Sequence, residues 1–436
     1  MKKISSKRLY SLLTTVIVLA SSCTLNYVNP NAPTESSVLG SPAGLLNFSL
    51  GLRSRYSIGA TGGLYNAVTV SGLVTGELRV VNAGNADLAA LGIGGNNVNN
   101  LNNVLNNLWL NLNLLNEDCE KIINNVKVIT DGATAAYVQG HAHLFKALAI
   151  TTLAQFWEQV PVNTTSFGTN AVFLPRIDAL DVAARLCQDA LTLIGTTAQP
   201  KAFTDVLGSN INVVASLNMQ LARCRIMLGD FQAALDASNA VLATVGTSAF
   251  TFDAVAQNPL FRSSFVTNNV HQGTQNLGLT GSLIPESGDG RVLFYLVSNV
   301  ALPNARGFWT GDAISIPFYL PGEARLIKAE ALARLDRLSE AITEINAVRS
   351  KNNDPFGVNA NLGTSLPNSA TKAETLTEIY RNRCIELYLT GSRLEDSRRF
   401  NRPGPGNAGA ERNRNFLPYP FVERTNNPNT PADPAN

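Results

Sequence analysis

The sequence predicts an all-α protein: tetratricopeptide-like helical hairpins with an irregular loop-rich insertion and an extended Pro-rich tail. Three observations predict it. Apolar residues recur at alternating three- and four-residue spacings from Val98 to Val126; two segments, near residues 228 and 335, repeat one helix–turn–helix pattern; and prolines 403, 405, 418, 420, 428, 431 and 434 crowd the stretch after Phe400. The first two are helical signals, and the third forbids a helix from running through the tail.

Residues 1–22 have the layout of an export leader. Lys2, Lys3, Lys7 and Arg8 precede an apolar run from Leu9 to Ala20, and Ala20-Ser21-Ser22 place small residues just before Cys23. Small residues let a lipid-transferring enzyme and its peptidase reach an extended chain, so Cys23 is the expected lipidation site. A plain leader with an incidental cysteine is the alternative. The apolar run is shorter than the roughly 20 residues a membrane span needs, whereas acyl chains on Cys23 would anchor the mature chain, each buried methylene adding about 0.8 kcal/mol.

Without the leader the chain carries 30 basic and 32 acidic side chains. A near-neutral chain has no electrostatic footprint for nucleic acid. With 45% hydrophobic and 15% charged residues, it can build a large core. The expected organisation is a single helical unit over 23–436, with a loop-rich insertion at 250–321 and a tail at 401–436. Cys119, Cys187, Cys224 and Cys384 fit no zinc spacing. They read as small buried hydrophobes, with one or two disulfides an open option in an oxidising compartment.

In chain order, the stripe Val98, Leu101, Leu105, Leu108, Leu112, Leu115, Cys119, Ile122, Val126 predicts a helix of about eight turns. The asparagines crowding its start are weak helix formers, so packing must hold it. A second helix is expected over 133–156 and stops at Trp157-Glu158-Gln159-Val160-Pro161, where the proline biases Val160 toward extended geometry. It pairs with a helix over 178–194. Leu228-Gly229-Asp230-Phe231 and Leu335-Asp336-Arg337-Leu338 then mark the turns of two further hairpins. From 250 to 321 helical periodicity lapses, glycines multiply, and Val292–Val297 alternates like a short strand; insertions of this length are functional or disordered. The tail is expected to lie extended over the helices, tied by Phe416, Tyr419 and Phe421.

The inventory for catalysis is thin. The three histidines stand at 141, 143 and 271, and the first two point to different sides of a helix, so they cannot share a metal. Neither a nucleophile elbow nor a phosphate-cradling glycine loop with Lys is present. A hydrolase using two carboxylates needs no visible signature and stays open as a class.

The segment Ile379-Tyr380-Arg381-Asn382-Arg383-Cys384-Ile385-Glu386-Leu387-Tyr388-Leu389-Thr390-Gly391-Ser392-Arg393-Leu394-Glu395-Asp396-Ser397-Arg398-Arg399 resembles the signature of the RagB/SusD family of outer-membrane nutrient-binding lipoproteins. Arg383, Glu386, Leu387, Gly391, Arg393, Asp396 and Arg399 fit that signature; Asn382 and Thr390 stand where the family commonly has acids, and Leu394 where it commonly has Trp. Asn29-Pro30-Asn31, the Trp157–Pro161 turn, the Ala324–Arg349 hairpin and Leu417-Pro418-Tyr419-Pro420 extend the resemblance along the mature chain. Read as residues, the segment is one helix in which Arg383 with Glu386, and Arg393 with Asp396, bond along a face.

The resemblance implies a non-catalytic binding subunit without cofactor. The fold it implies is a SusD-like α–α superhelix, lipid-anchored in the outer membrane at the cell surface beside a SusC-like TonB-dependent transporter, capturing oligomeric nutrients: commonly glycans, sometimes peptides. Sugars are held by aromatic faces and planar hydrogen-bonding groups on loops. Trp309, in the glycine-flanked Asn304–Asp312 loop, is therefore the expected ligand platform, with Arg306, Phe308 and Asp312 beside it. The alternative is an envelope adaptor whose hairpins dock peptides or proteins. The stretch after Cys23 has no acid, so surface display is expected less strongly than membrane attachment.

Overall fold

A computed structural model describes residues 34–82, 84–163, 169–266, 270–300 and 303–435. The leader, Cys23 and Asn29-Pro30-Asn31 lie outside the described residues. Three antiparallel two-stranded ladders and one isolated bridge, Leu296 with Ala305, are the β structure among the described residues: β1 (Leu78–Val80) with β5 (His271–Gly273), β2 (Gln159–Pro161) with β3 (Phe173–Pro175), and β4 (Ala249–Phe250) with β6 (Ile316–Pro317). Everything else of regular structure is helical, as the periodicity predicts.

The first part of the chain forms α1 (Glu35–Leu39), α2 (Pro42–Ser57), α3 (Gly63–Val74) and α4 (Ala86–Ile93). The long helix follows as α5 (Asn103–Asn125), and it starts later than the stripe predicts. Asn102 is its N-cap, its side chain accepting from Val104 N at 3.0 Å and Leu105 N at 3.3 Å. Asparagine caps better than it propagates, so the Asn-rich start stays outside the helix. Val98 is nevertheless buried, while Leu101 faces solvent.

The predicted hairpins are present. α6 (Gly132–Phe156) packs on α7 (Arg176–Ile194), with β2 and β3 in the connection. After α8 (Lys201–Leu207), α9 (Val213–Leu228) turns through Gly229 (φ 78°) into α10 (Phe231–Ala243). α12 (Pro321–Arg334) likewise turns into α13 (Leu338–Arg349), here with Asp336 at φ 62°. Alanines 222, 329, 331 and 333 are buried at these contacts, where small side chains let the helices approach closely. Between the hairpins the chain is irregular, but Val292–Val297 is not a strand: α11 (Gly290–Tyr295) occupies it, capped by Asp289. Its alternation arises because a short helix against an aromatic cluster buries Val292 and Tyr295 and exposes Leu293.

The signature segment departs most from its expectation. It is two helices, α14 (Lys372–Glu386) and α15 (Arg393–Arg399), separated by a turn with Leu389 at φ 55° and Gly391 at φ 87°. The turn seats Gly391 against the backbone of Ala67 and Val68 in α3. Because the chain folds back there, the charges pair across the turn. Arg383 makes a bidentate bond to Asp396 (2.9 and 3.0 Å), Arg393 reaches Glu77 at 3.3 Å, and Glu386 is bonded by Arg291 and Lys351. Arg399 adds Glu330 of α12 at 2.8 Å. Apart from the partly buried Lys351 and Arg399, all these groups are buried, where stranding one partner is costly.

The tail is mostly extended, as expected, and is fastened where two of its aromatic neighbours sit. Leu417 N bonds Phe156 O at 2.9 Å, Trp157 Nε1 donates to Pro418 O at 3.0 Å, and the Tyr419 hydroxyl meets both backbone groups of Gln159 at 3.1 Å. Phe421 is a correction: it begins a short helix, α16 (Phe421–Asn426), and faces solvent. Pro420 sits just ahead of the first helical residue, where a missing N–H costs nothing, so a proline-rich tail still admits one turn and a half of helix. The four described cysteines are free and buried, which removes the disulfide option among them.

Candidate functional site

Two helix hairpins, α3, α15 and the end of the insertion enclose a cavity of about 110 Å³. Its wall combines aromatic and aliphatic side chains with a smaller set of polar ones. Phe250 of β4, Phe308, Trp309 and Phe318 come from the irregular segment and Tyr56 from α2, while Thr151, Gln220, Arg223 and Glu323 project from α6, α9 and α12. Phe250 contacts Tyr56 (5.5 Å between ring centroids) and Phe318 (5.7 Å), so these rings form one continuous surface.

The polar side is built from paired charges. Arg223 makes a bidentate bond to Glu323, both contacts 2.7 Å, and its guanidinium lies 5.5 Å from the centroid of the Phe318 ring. Burial disfavours the ionised carboxyl of Asp396, yet Arg383 and Arg399 more than offset that and hold it below its ordinary range. Glu395 is held low in the same way, burial being outweighed by Arg398 and Arg176. Burial pushes the Tyr56 hydroxyl up to about 12, so it is a neutral donor at any physiological pH. The charges along this wall cancel locally.

The predicted loop residues separate into two sets. Trp309 is 2% exposed, stacked on Tyr295 (5.9 Å, 25° between planes) and flanked by Phe308, Phe265 and Tyr388. Phe308 is also buried, against Phe294 at 5.3 Å. Both therefore face inward and line the cavity, contrary to a solvent-facing platform. The loop aromatics are buried because the insertion builds its own small core, fixed by Asn258, whose amide donates to Phe308 O and Ile314 O at 2.8 Å each. Arg306 is exposed, and Asp312 is half-buried with Oδ2 3.8 Å from Arg262. These two sit on the outer side of the same loop.

Sequence reasoning missed Gln220, Arg223, Glu323, Phe250 and Phe318. Each stands on a helix face, on a strand or, for Phe318, just after one, indistinguishable in sequence from ordinary core, and only the packing of α9 against α12 and the insertion brings them together. Among the described residues no group of His, Cys, Asp and Glu could hold a metal ion. His141 bonds Ser49 (3.0 Å). No described helix is long and apolar enough to cross a membrane.

Residues 262–434, which hold the insertion, the α12–α13 hairpin, the paired signature helices and the tail, match the model of the SusD family. No curated protein sequence matches the chain. Solved SusD-like structures share its fold at low identity. A putative sugar-binding protein from Bacteroides vulgatus superposes with a TM-score of 0.70 at 13% identity, over 90% of this chain and 98% of that one. NanU from B. fragilis gives 0.70 at 15% identity over 92% and 99%. A SusD-like carbohydrate-binding protein from B. fragilis gives 0.66 at 13% identity over 90% and 99%. The all-α, tetratricopeptide-like architecture is thus that of the SusD fold.

Proposed function

We propose that this chain is a member of the SusD/RagB family: a non-catalytic outer-membrane lipoprotein that binds oligomeric nutrients, glycans foremost, and delivers them to a SusC-like TonB-dependent transporter. The observation that carries the reading is its fold, shared along nine-tenths of its length with structures described as sugar- and carbohydrate-binding. The chemistry agrees: the insertion gathers aromatic faces and planar hydrogen-bonding groups, the two features a sugar needs, and buried charges in the signature helices serve as scaffold. Acyl chains on Cys23 would supply the membrane attachment.

In this reading Arg306 and Asp312 meet the ligand from the outer side of the loop, and Phe308 and Trp309 hold that loop in shape from beneath. The test is calorimetric titration of the purified mature protein with a panel of polysaccharides and peptides, together with affinity purification from membranes. A glycan that binds, with Arg306→Ala weakening it, and a large β-barrel that co-elutes are the expected results. Turnover of any panel member, or an unacylated Cys23, would overturn the assignment.

A further inference from the structure

The join between α15 and the tail concentrates basic charge. Residues 398–415 hold five arginines, Arg398, Arg399, Arg402, Arg412 and Arg414, against one acid, Glu411. Arg399 binds Glu330 and Asp396, Arg402 binds Glu411 at 2.6 Å, and Arg398 shares Glu395 with Arg176. Arg414 is buried and donates to the carbonyls of Phe416, Gly95 and Val98. Arg412 has no acid. Its Nε donates to Asn415 Oδ1 and its Nη1 to Arg402 O, both at 2.8 Å, with Ser397 Oγ a further 3.5 Å contact of Nη1. Neutral acceptors thus fix the guanidinium, and Nη2 is left without a partner among the described residues. Gly404 stands against that atom, where a Cβ would lie 2.7 Å from it, so only glycine gives the guanidinium this seat. Burial lowers the pKa of Arg412, and it lowers that of Arg398 with Arg176 and Arg412 adding to the effect against Glu395.

An open cleft of about 640 Å³ lies on this charge, lined by Arg398, Arg402 and Arg412 and by no acid. Its polar groups are reachable. Asn401 and Asn407 are exposed, and Arg402, Arg412 and Asn415 are half-buried. Arg398 Nε is sealed from solvent, but the unmatched Arg412 Nη2, Arg402 Nη1 and Asn415 Nδ2 are not. Asn407 Nδ2 donates to Gly404 O and Pro405 O, which leaves Oδ1 as a free acceptor. Because Arg398 has no free donor and Arg402 is matched by Glu411, Arg412 alone presents an unanswered charge to the cleft. One such charge fits a monoanion better than a phosphate monoester carrying about −1.5 to −2. Bonds from arginine to carboxylate or sulfate oxygens are roughly twice as strong as neutral ones. The space is far larger than a bare ion fills, and the surrounding asparagine amides both donate to and accept from hydroxyls. No aromatic ring lines it, so attraction here rests on charge and is screened by salt.

We propose that this cleft binds an acidic sugar, one carrying a single carboxylate or sulfate, with Arg412 as the counter-ion and Asn401, Asn407 and Asn415 on the hydroxyls. The site shares no residue with the Arg306–Asp312 loop and does not depend on capture of oligomers there.

The experiment is calorimetric titration of the mature chain with glucuronate, a glucose sulfate, glucose, inorganic phosphate and glycerol phosphate, at low and at high salt. Saturable binding of a sugar acid, none of glucose, and weakening by salt are expected. Arg412→Gln removes the charge and should weaken binding about tenfold. Ala408 is exposed on the lining, so Ala408→Glu should weaken binding by a similar factor while the thermal melt stays at wild type, and Ala408→Lys should not weaken it. No saturable sugar acid, glucose binding as tightly as glucuronate, or full affinity in both Arg412→Gln and Ala408→Glu would overturn the proposal. Inorganic phosphate or glycerol phosphate binding more tightly than either sugar acid would overturn it as well, giving the cleft to a free phosphate or a lipid headgroup. Binding of a neutral polysaccharide, present or absent, bears on the outer loop alone.

Discussion

Arg291 offers the sharpest test of what holds the insertion to the helical body. Its side chain is fully buried and every polar atom is occupied: Nε and Nη2 bond Asp289 at 3.0 and 2.7 Å, Nη2 also meets Asn382 Oδ1 at 2.9 Å, and Nη1 reaches Glu386 Oε2 at 3.3 Å. Burial works to neutralise it, but Asp289 and Glu386 more than offset that and raise its pKa. Replacing it by Met keeps most of the volume and leaves Asp289 charged, buried and without its cation. Glu386 retains Lys351, so one stranded carboxylate dominates, and breaking such a pair costs about 3–5 kcal/mol. For some 400 residues the unfolding entropy is about 0.8 kcal/mol per kelvin, so Tm should fall by roughly 4–6 °C in scanning calorimetry. Adding Asp289→Asn removes the stranded charge while keeping an N-cap side chain on α11, and the double variant should recover at least half of the loss. A single variant melting within about 1 °C of wild type would refute the reasoning. So would a double variant as unstable as the single.

Other expectations follow from individual groups. His271 is fully buried, and burial lowers its pKa from 6.5 to about 4; the unfolded chain then binds the extra proton, so its contribution is intact above pH 6.5 and about 3 kcal/mol is lost as pH falls toward 4. Urea midpoints at pH 7 and 4 should differ less in His271→Leu than in wild type. Glu286 accepts from Arg349, Thr364 and Arg381; although burial opposes it, these bonds lower its carboxyl to about 2. Its stabilisation is present above pH 4.5 and fades as pH falls toward 2, so the stability gap between wild type and Glu286→Gln should close over that window. A Cβ on Gly322 would stand 1.9 Å from Glu386 Oε1, inside the same ion cluster, and Gly322→Ala should destabilise by about 2–3 kcal/mol in urea unfolding. Cys119, Cys187, Cys224 and Cys384 are buried, and burial raises each thiol's pKa; a thiol reagent should therefore modify them slowly in native protein and rapidly in denaturant.

The helical hairpins were legible because their information is local. A stripe such as Leu105–Leu108–Leu112–Leu115 and a turn such as Leu228-Gly229-Asp230 need nothing beyond neighbours in sequence, and α5, α6, α7, α9, α10, α12 and α13 form close to where the periodicity places them. Their ends were less legible. Asn102 could cap or continue, and Pro420 could forbid a helix or open one. Both choices depend on a competing backbone geometry that periodicity does not weigh.

The site behaves differently. Trp309 and Phe308 belong to the cavity, as aromatic residues in a glycine-flanked loop suggest, but their inward orientation is set by Tyr295, Phe294 and Asn258, none adjacent in sequence. Arg383 and Asp396 are recognisable as members of a signature, but spacing along one helix pairs Arg383 with Glu386 and Arg393 with Asp396; the Arg383–Asp396 bond requires the turn at Leu389–Gly391, which seats Gly391 against the backbone of α3. The sequence by itself determined that the chain makes paired helices with an aperiodic interruption and a signature of buried charges, since spacing and residue type encode those directly. The tertiary structure alone decided which charges neutralise one another and which aromatic rings face a common cavity, because those relations join residues such as Glu77 and Arg393 or Arg223 and Glu323, whose proximity arises only when separate helices pack.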